Sequence, residues 1–507
     1  MFVKPALVTD AVFDPIRTTN YLGMWYLASL LKEKGYNVRY LDEAVRNNGL
    51  ANNILFERTV AGNNATDKPI KGLSYKEFEK IKMDDFGKLS PKEFVDKYSA
   101  FQVGGKVTRI MVRTGNPIEE TLAEIKKSSP DFVGIPLIAT ANYSEAVKLG
   151  IAVKERFPAI KIIYGGQHIS SEWESFIADN PWVDHVIIGD AIGVIEDLVS
   201  GERNEQVIDG GSVDFKDFPL LNPSIIEENN YPIELTHAYS SSGRRALDFM
   251  FSKGCFRKCE FCIAGSRKSG ITSLDKSSID RQLAIFKEHG IQELIVQDDA
   301  FIHPDPEHLK IVLDLMKKHG FFWQSNGGLD FQMLDKKVTD LLIKYNKEGE
   351  GRITSLYIPF NPREWNKNRS AAKSMTEKFY DNYENLKRLR EEGGIYVFSS
   401  EIIGTPEHTL EIVEEDINLH REMIKQGYLD ASLTFSATLL PGTKWNKENK
   451  GMIINEKDYS GYSIFITHHR TNNFPDPKIM EELIVRRAKD LNMVQTTYAW
   501  GNPFPNT

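Results

Sequence analysis

At 507 residues the chain exceeds what one ordinary hydrophobic core supports, so two or three domains are expected. Hydrophobic residues at 41% and charged residues at 26% exclude a disordered chain. The net charge of −8 argues against nucleic acid as partner, and no apolar run approaches the roughly 20 residues of a membrane span; a cytoplasmic protein is expected.

A short apolar strand over 5–9 opens the chain, followed by a helical pattern over 21–34 and a strand over 36–41, with Gly35 as the stop between them. Residues 44–115 break this rhythm. They are polar, rich in Lys and Asn, and carry short helical patterns such as 91–98, so they read as an inserted helical lobe over the sheet's ligand edge or as a decorative insertion. Alternation resumes with a helix over 118–127, a strand over 132–135 and a helix over 143–156. A strand over 160–164, a helix over 171–179 and a strand over 183–188 complete it. Apolar strands separated by helices indicate a parallel sheet covered on both faces, a doubly wound, Rossmann-like α/β domain over 1–200.

Turn-forming residues, among them Gly210, Gly211, Pro219 and Pro223, mark 201–245 as a linker. A second βα series fills 246–440. Its strands are expected at 247–251, 293–297, 321–325, 354–359, 395–399 and 431–437, with helical patterns clearest at 277–289, 307–318, 336–345 and 410–426. Six such units predict a partial (β/α)6 barrel with its site at the carboxyl ends of the strands. Residues 441–507 read as a small C-terminal extension capping one end.

All three cysteines of the chain, Cys255, Cys259 and Cys262, lie in one loop after the first strand of this series. An odd number packed so tightly is a poor disulfide framework and a good ligand set for one soft metal centre. Three thiolates on a four-iron cluster leave one iron open, as catalysis requires. Gly254 permits a tight exit from the strand, and Lys253, Arg257 and Lys258 would favour the thiolate forms. A zinc site would need a fourth ligand, and the nearest downstream histidines, His289 and His303, lack zinc-finger spacing.

This Cys-x3-Cys-x2-Cys loop, with the aromatic Phe261 directly before Cys262, resembles that of the radical S-adenosylmethionine superfamily. The resemblance implies a [4Fe–4S] cluster on the three cysteines, with S-adenosylmethionine on the open iron. By the same resemblance Gln297, Asp298 and Asp299 lie where the methionine amino group is bound, although the commoner Gly-Gly-Glu is absent. Ser400, Ile402, Gly404 and Glu407 match the fifth-strand motif that packs on the adenine, with Ser400 in place of its first glycine. Pro441-Gly442-Thr443 matches a turn common near the barrel's end.

A doubly wound domain directly upstream of such a barrel resembles the cobalamin-binding branch of that superfamily. Open α/β sheets bind ligands at the carboxyl ends of their strands. The cobalamin contacts implied there are Thr9 and Asp10; Pro136, Ala139 and Thr140; Gly165, Gly166 and Gln167; and Gly189 and Asp190. The glycine pair would admit a planar macrocycle close to the backbone, and small Ala139, Thr140 and Ala141 would leave room for a nucleotide tail. The Asp-x-His-x-x-Gly motif that supplies a cobalt ligand elsewhere is absent, as is usual in this branch, and His168 reads as a surface or supporting side chain.

The resemblance implies a cobalamin-dependent radical enzyme, foremost a C-methyltransferase acting on an unactivated carbon of a small molecule or natural-product intermediate. An external electron donor of flavodoxin or ferredoxin type would serve it. Cyclisation, ring contraction or oxidation is the runner-up, and a cobalamin-binding sensor with a degenerate barrel stands for another class. Methylthiotransferases need three further cysteines, which are lacking. Trp323, Tyr357, Asn361 and His468, the last in a His-His-Arg cluster, are candidate substrate contacts.

Overall fold

The computed structural model describes residues 1–13, 21–46, 49–50, 53–101, 106–222, 224–225, 227, 244–266, 270–360 and 373–490. The chain forms two compact units. One comprises Met1–Ala238, Glu260–Ser266 and Thr438–His469, the other Tyr239–Cys259, Arg267–Ala437 and Arg470–Thr507.

The first unit holds a six-stranded parallel sheet in the spatial order Val207–Asp209, His185–Ile188, Lys161–Gly165, Phe132–Pro136, Phe2–Lys4, Tyr40–Asp42. From Phe2–Lys4 the chain proceeds first to one side and then to the other, which puts the topological switch point between Phe2–Lys4 and Phe132–Pro136. Val133, Ile135, Ile162, Tyr164 and Val186 carry the strands' side of the core. Helices Ile118–Ser128, Tyr143–Arg156 and Gln167–Asp179 answer with Leu122 and Ile125, Leu149 and Val153, and Ile169 and Phe176. Their spacing of three, four or seven residues is the helical period that sequence patterning detects.

Two strands fall elsewhere than expected. The apolar run at 5–9 is not part of the parallel sheet: Phe2–Lys4 is, and Leu7–Asp10 pairs antiparallel with Val107–Thr114. Pro5, with no N–H to offer a ladder, separates the two. The sixth strand, Val207–Asp209, lies within the expected linker; three residues carry too short a pattern to be read.

The inserted segment is not a purely helical lobe. Asn53–Ala61, Asn64–Pro69 and Val107–Thr114 join Leu7–Asp10 in a four-stranded antiparallel sheet. Helices Tyr75–Lys88 and Pro91–Tyr98 follow the hairpin, each opened by a Ser-x-x-Glu capping box, at Ser74 and Ser90. The strand Asn64–Pro69 is exposed throughout, so no apolar alternation marks it.

The second unit is a parallel sheet in chain order: Ala246–Phe249, Glu293–Val296, Phe322–Ser325, Ile353–Tyr357, Tyr396–Ile403, Ala431–Ser436. Its first and last strands do not pair among the described residues, which makes it the partial barrel expected. Asp275, Asp305 and Asp335 cap the helices Lys276–Glu288, Pro306–Lys318 and Lys336–Lys347. The expected single extension from 441 onward divides instead: residues through His469 join the first unit and those from Arg470 the second. There the helix Pro477–Asp490 seats Met480, Leu483 and Ile484 against Ile403, Val413, Ile417 and Phe474.

Candidate functional site

The chain leaves the strand Ala246–Phe249 under the control of two carboxylates. Asp298 accepts from Phe251 N at 2.9 Å, Ser252 N at 2.7 Å and Ser252 Oγ at 2.6 Å. Asp299 Oδ2 accepts from Gly254 N at 3.0 Å. Gly254 has φ +92°, and a Cβ there would fall on the Gly270 carbonyl, so glycine alone fits this turn. Asp298 is buried with both oxygens engaged by protein donors, which corrects its expected role: it organises the base of the cysteine loop rather than presenting a carboxylate to a cofactor. Burial pushes its carboxyl up to about 7 against those donors. Gln297 donates to Asp248 and accepts from Asn326 Nδ2 at 2.9 Å.

Cys255 and Cys262 are half-buried, Cys259 is exposed, and none is in a disulfide. The backbone N–H of Arg257 donates to Cys255 Sγ at 3.4 Å. The Arg257 side chain lies 2.5 Å from Asp330 Oδ2, so its charge is committed there rather than to the thiolates. Among the described residues no three ligating side chains stand together as a preformed metal site. Thiols attract one another weakly, so bonds to iron, not protein contacts, would gather them. Three soft, accessible sulfurs on a loop anchored at its base are a donor set that fits an iron–sulfur cluster. Phe261 packs against Trp445 with ring centroids 5.2 Å apart.

On the fifth strand Ser400 Oγ lies 2.6 Å from the Tyr357 hydroxyl, and the Tyr357 ring stacks on Phe398 at 5.1 Å. A residue expected to face S-adenosylmethionine and one expected to face substrate are thus brought together. Ile402 is half-buried, Gly404 has φ +83° and Glu407 is exposed. Trp323 is corrected: it is fully buried, with Phe301 at 5.0 Å and Tyr345 at 6.1 Å, and packs the core. Asn361 lies outside the described residues.

At the switch point Lys4 and Asp42, both fully buried, pair at 2.9 Å, and Lys4 Nζ stands 4.9 Å from the Tyr21 ring centroid. Asn142 donates to the Tyr21 hydroxyl at 2.9 Å. Pro136 is buried and Ala139 exposed, and Thr140 Oγ1 lies 3.0 Å from His168 Nδ1. His168 is buried rather than at the surface, and that burial lowers its pKa to about 4, so the ring is neutral. It stands edge-on to Tyr143, on which Tyr459 stacks at 3.9 Å. Thr140, Tyr143, His168 and Tyr459, with Glu172, Lys450 and Tyr462, line a cleft of about 110 Å³.

The glycine pair divides its work. A Cβ on Gly165 would meet only the Ile187 carbonyl, at 3.8 Å, whereas one on Gly166 would press to 2.8 Å of the Leu137 carbonyl. The close approach at Gly166 is therefore made by the protein's own backbone, and Gly165 is the open member. Gln167 donates to Ser171 Oγ at 3.3 Å. Gly189 admits the Gly211 carbonyl, and Asp190 accepts from Val213 N at 2.8 Å.

Thr9 and Asp10 lie on a strand of the antiparallel sheet rather than at a carboxyl end of the parallel one, and Thr9 is half-buried. Asp10 is buried, accepts from Val12 N and Phe13 N, and lies 3.4 Å from Arg109 Nη1. Arg109 Nε reaches Asp458 Oδ2 at 3.1 Å. His468 is buried too: its Nε2 accepts from Leu439 N at 3.3 Å, and burial drives its pKa well below the ordinary value, so it is neither a cation for an anionic substrate nor a solvated turn. Tyr143 and Tyr459 carried no signal in the sequence, because only the fold stacks two rings so distant along the chain.

Two family models match the chain: the B12 binding domain over residues 84–199 and the Radical SAM superfamily over residues 249–420. An anaerobic magnesium-protoporphyrin IX monomethyl ester cyclase of Cereibacter sphaeroides is 24% identical over 325 residues, which cover 58% of this chain and 50% of that protein. The cobalamin-dependent radical SAM methyltransferase TokK of Streptomyces tokunonensis is 22% identical over 177 residues, 32% of this chain and 26% of TokK. The chain spans about half the length of the cyclases it matches. Among solved structures, the radical S-adenosylmethionine methyltransferase TsrM from Kitasatospora setae, with cobalamin and [4Fe–4S] cluster bound, superposes with a TM-score of 0.54 at 11% identity. That match covers 96% of this chain and 90% of TsrM, a likeness of fold.

Proposed function

The chain belongs to the cobalamin-binding radical S-adenosylmethionine family, and from that premise we propose that it is an enzyme transferring a methyl group to an unactivated carbon of a small molecule. The observation that carries the reading is the pairing, in one chain, of a three-cysteine loop with a doubly wound sheet that presents an open glycine, Gly165, at its ligand edge. When bound, a [4Fe–4S] cluster, S-adenosylmethionine and cobalamin supply a substrate radical and a methyl group to quench it.

The chain's own residues supply position. Cys255, Cys259 and Cys262 would hold the cluster, with Asp298 and Asp299 fixing the backbone from which they project. Tyr357 and Ser400, joined through their hydroxyls, offer polar contacts beside the fifth strand's end. Thr140 and a neutral His168 would meet an uncharged part of cobalamin without placing a cation there. An external flavodoxin- or ferredoxin-type protein is the proposed electron source.

A second reading, ring formation or oxidation without methyl transfer, draws on the resemblance to the cyclases. To decide, the protein is purified anaerobically with iron, sulfide and hydroxocobalamin, then incubated with S-adenosylmethionine labelled in its methyl group and an extract of candidate small molecules. About four irons and one cobalt per chain, with label in a carbon-bound methyl group, are expected. Both metals with a modified but unlabelled product would favour ring chemistry, and iron without cobalt would overturn the cobalamin-dependent reading.

A further inference from the structure

Side chains alternate along the strand Tyr396–Ile403, so Ser400 and Ile402 share one face and Glu401 points to the other. Ser400 meets Tyr357, whereas Glu401 is enclosed, with 2% of its side chain exposed. Its Oε1 receives Arg487 Nη1 at 2.5 Å and Thr434 Oγ1 at 2.9 Å, and its Oε2 lies 3.1 Å from His420 Nδ1. Arg487 is equally buried and completes the cluster by donating to Thr434 and, at 2.8 Å, to Ser432 Oγ. One carboxylate thereby gathers four elements. These are its own strand, the neighbouring strand Ala431–Ser436, the helix Leu410–Lys425 through His420, and the C-terminal helix Pro477–Asp490 through Arg487.

Burial alone would push the Glu401 carboxyl up, but Arg487, His420 and Thr434 together bring it below the usual glutamate range, so it remains a carboxylate. A buried ion pair is an inefficient way to gain stability, because desolvating both charges offsets their attraction. The helix already has an apolar seam in Met480, Leu483 and Ile484. What a hydrogen-bonded ion pair adds to such a seam is direction: it fixes rotation and register where apolar contacts allow slip. The residues on either side of Glu401 are Ser400 and Ile402, the segment expected to pack on the adenine.

We propose that Glu401 and Arg487 are positioning residues for S-adenosylmethionine, the C-terminal helix fixing through them the backbone from Ser400 to Gly404. This rests on the reading of that segment as cofactor-binding. The test uses the full chain reconstituted anaerobically with iron and sulfide. S-adenosylmethionine binding is measured by equilibrium dialysis, with the paramagnetic resonance spectrum of the dithionite-reduced cluster recorded with and without it, and iron content and thermal midpoint alongside.

Arg487→Met is expected to weaken S-adenosylmethionine binding about tenfold or more at unchanged iron content, and to diminish the spectral change on binding. Arg487→Lys, which keeps a charge beside Glu401, is expected to recover most of the loss. Glu401→Gln, which keeps Thr434 as a partner but removes the carboxylate hydrogen-bonded to Arg487, is expected to behave like Arg487→Met. Folded variants with a lowered thermal midpoint but wild-type binding would overturn the proposal, leaving the pair a purely structural contact. Should Arg487→Met not fold, the other two variants decide by the same criterion. A wild type that fails to bind S-adenosylmethionine would overturn the functional reading and this proposal with it, a failure visible before any substitution is made.

Discussion

A methyl group added at Gly166 would stand 2.8 Å from the Leu137 carbonyl oxygen, on a residue whose φ of +110° is already costly for any side chain. Gly166→Ala is expected to destabilise the first unit by about 1–3 kcal/mol in urea unfolding. Gly165→Ala, one residue away, meets only ordinary contacts, so its unfolding midpoint should match the wild type while cobalt retained after gel filtration with hydroxocobalamin falls. His168 makes a different prediction, in pH. Burial lowers its pKa to about 4, whereas in the unfolded chain it takes up a proton near its ordinary value. Its contribution is therefore complete above about pH 6.5 and is lost as the pH falls toward 4, up to on the order of 3 kcal/mol. Denaturant midpoints at several pH values should fall less steeply on acidification for His168→Asn than for the wild type.

At the scale of elements, the joint between the strand Ala246–Phe249 and the cysteine loop is made by Asp298, whose two oxygens take three donors. Asp298→Asn turns one of those oxygens into a donor, so the loop's base loses its order. Iron bound per chain should fall while circular dichroism shows the helices and strands intact, and full iron loading would contradict this role. The cysteines themselves were legible because three such residues in one loop have few other uses. The barrel strands were legible because strands buried on both faces are continuous apolar runs. Asp298 was legible as a site residue but not in its role, since a motif shows where a carboxylate lies and not which donors take its oxygens. Phe2–Lys4, with three residues and a lysine, offered no pattern, and its lysine is tolerated in the sheet only because Asp42 pairs with it. The hairpin Asn53–Pro69 was missed for a related reason: its outer strand is exposed throughout and carries no apolar alternation, and its pairing follows from partners that are distant in sequence. Trp323 misled because large aromatics serve a core as readily as a binding surface.

For the molecule as a whole, long-range order in the first unit depends on contacts no local pattern announces. Arg109, buried between Asp10 and Asp458, ties together residues 99 and 349 positions away. Arg109→Leu would leave two carboxylates buried without their cation, at a cost of about 3–5 kcal/mol, read as a lowered denaturation midpoint of the first unit. Asp458 reaches that unit only because the chain, after building the barrel strands, returns to it over Thr438–His469 and then leaves again. Passages from one unit to the other follow Ala238, Cys259, Ser266, Ala437 and His469. A gene assembled by joining two finished domains end to end would have a single such passage. Here a recombination event with one crossover, wherever it fell between Asp10 and Asp458, would bring together an Asp10 and an Asp458 from different parents, with Arg109 matched to only one of them. Segments of this chain are therefore expected to be inherited together, and chimaeras between relatives should fold only when 438–469 is exchanged along with the N-terminal residues it joins.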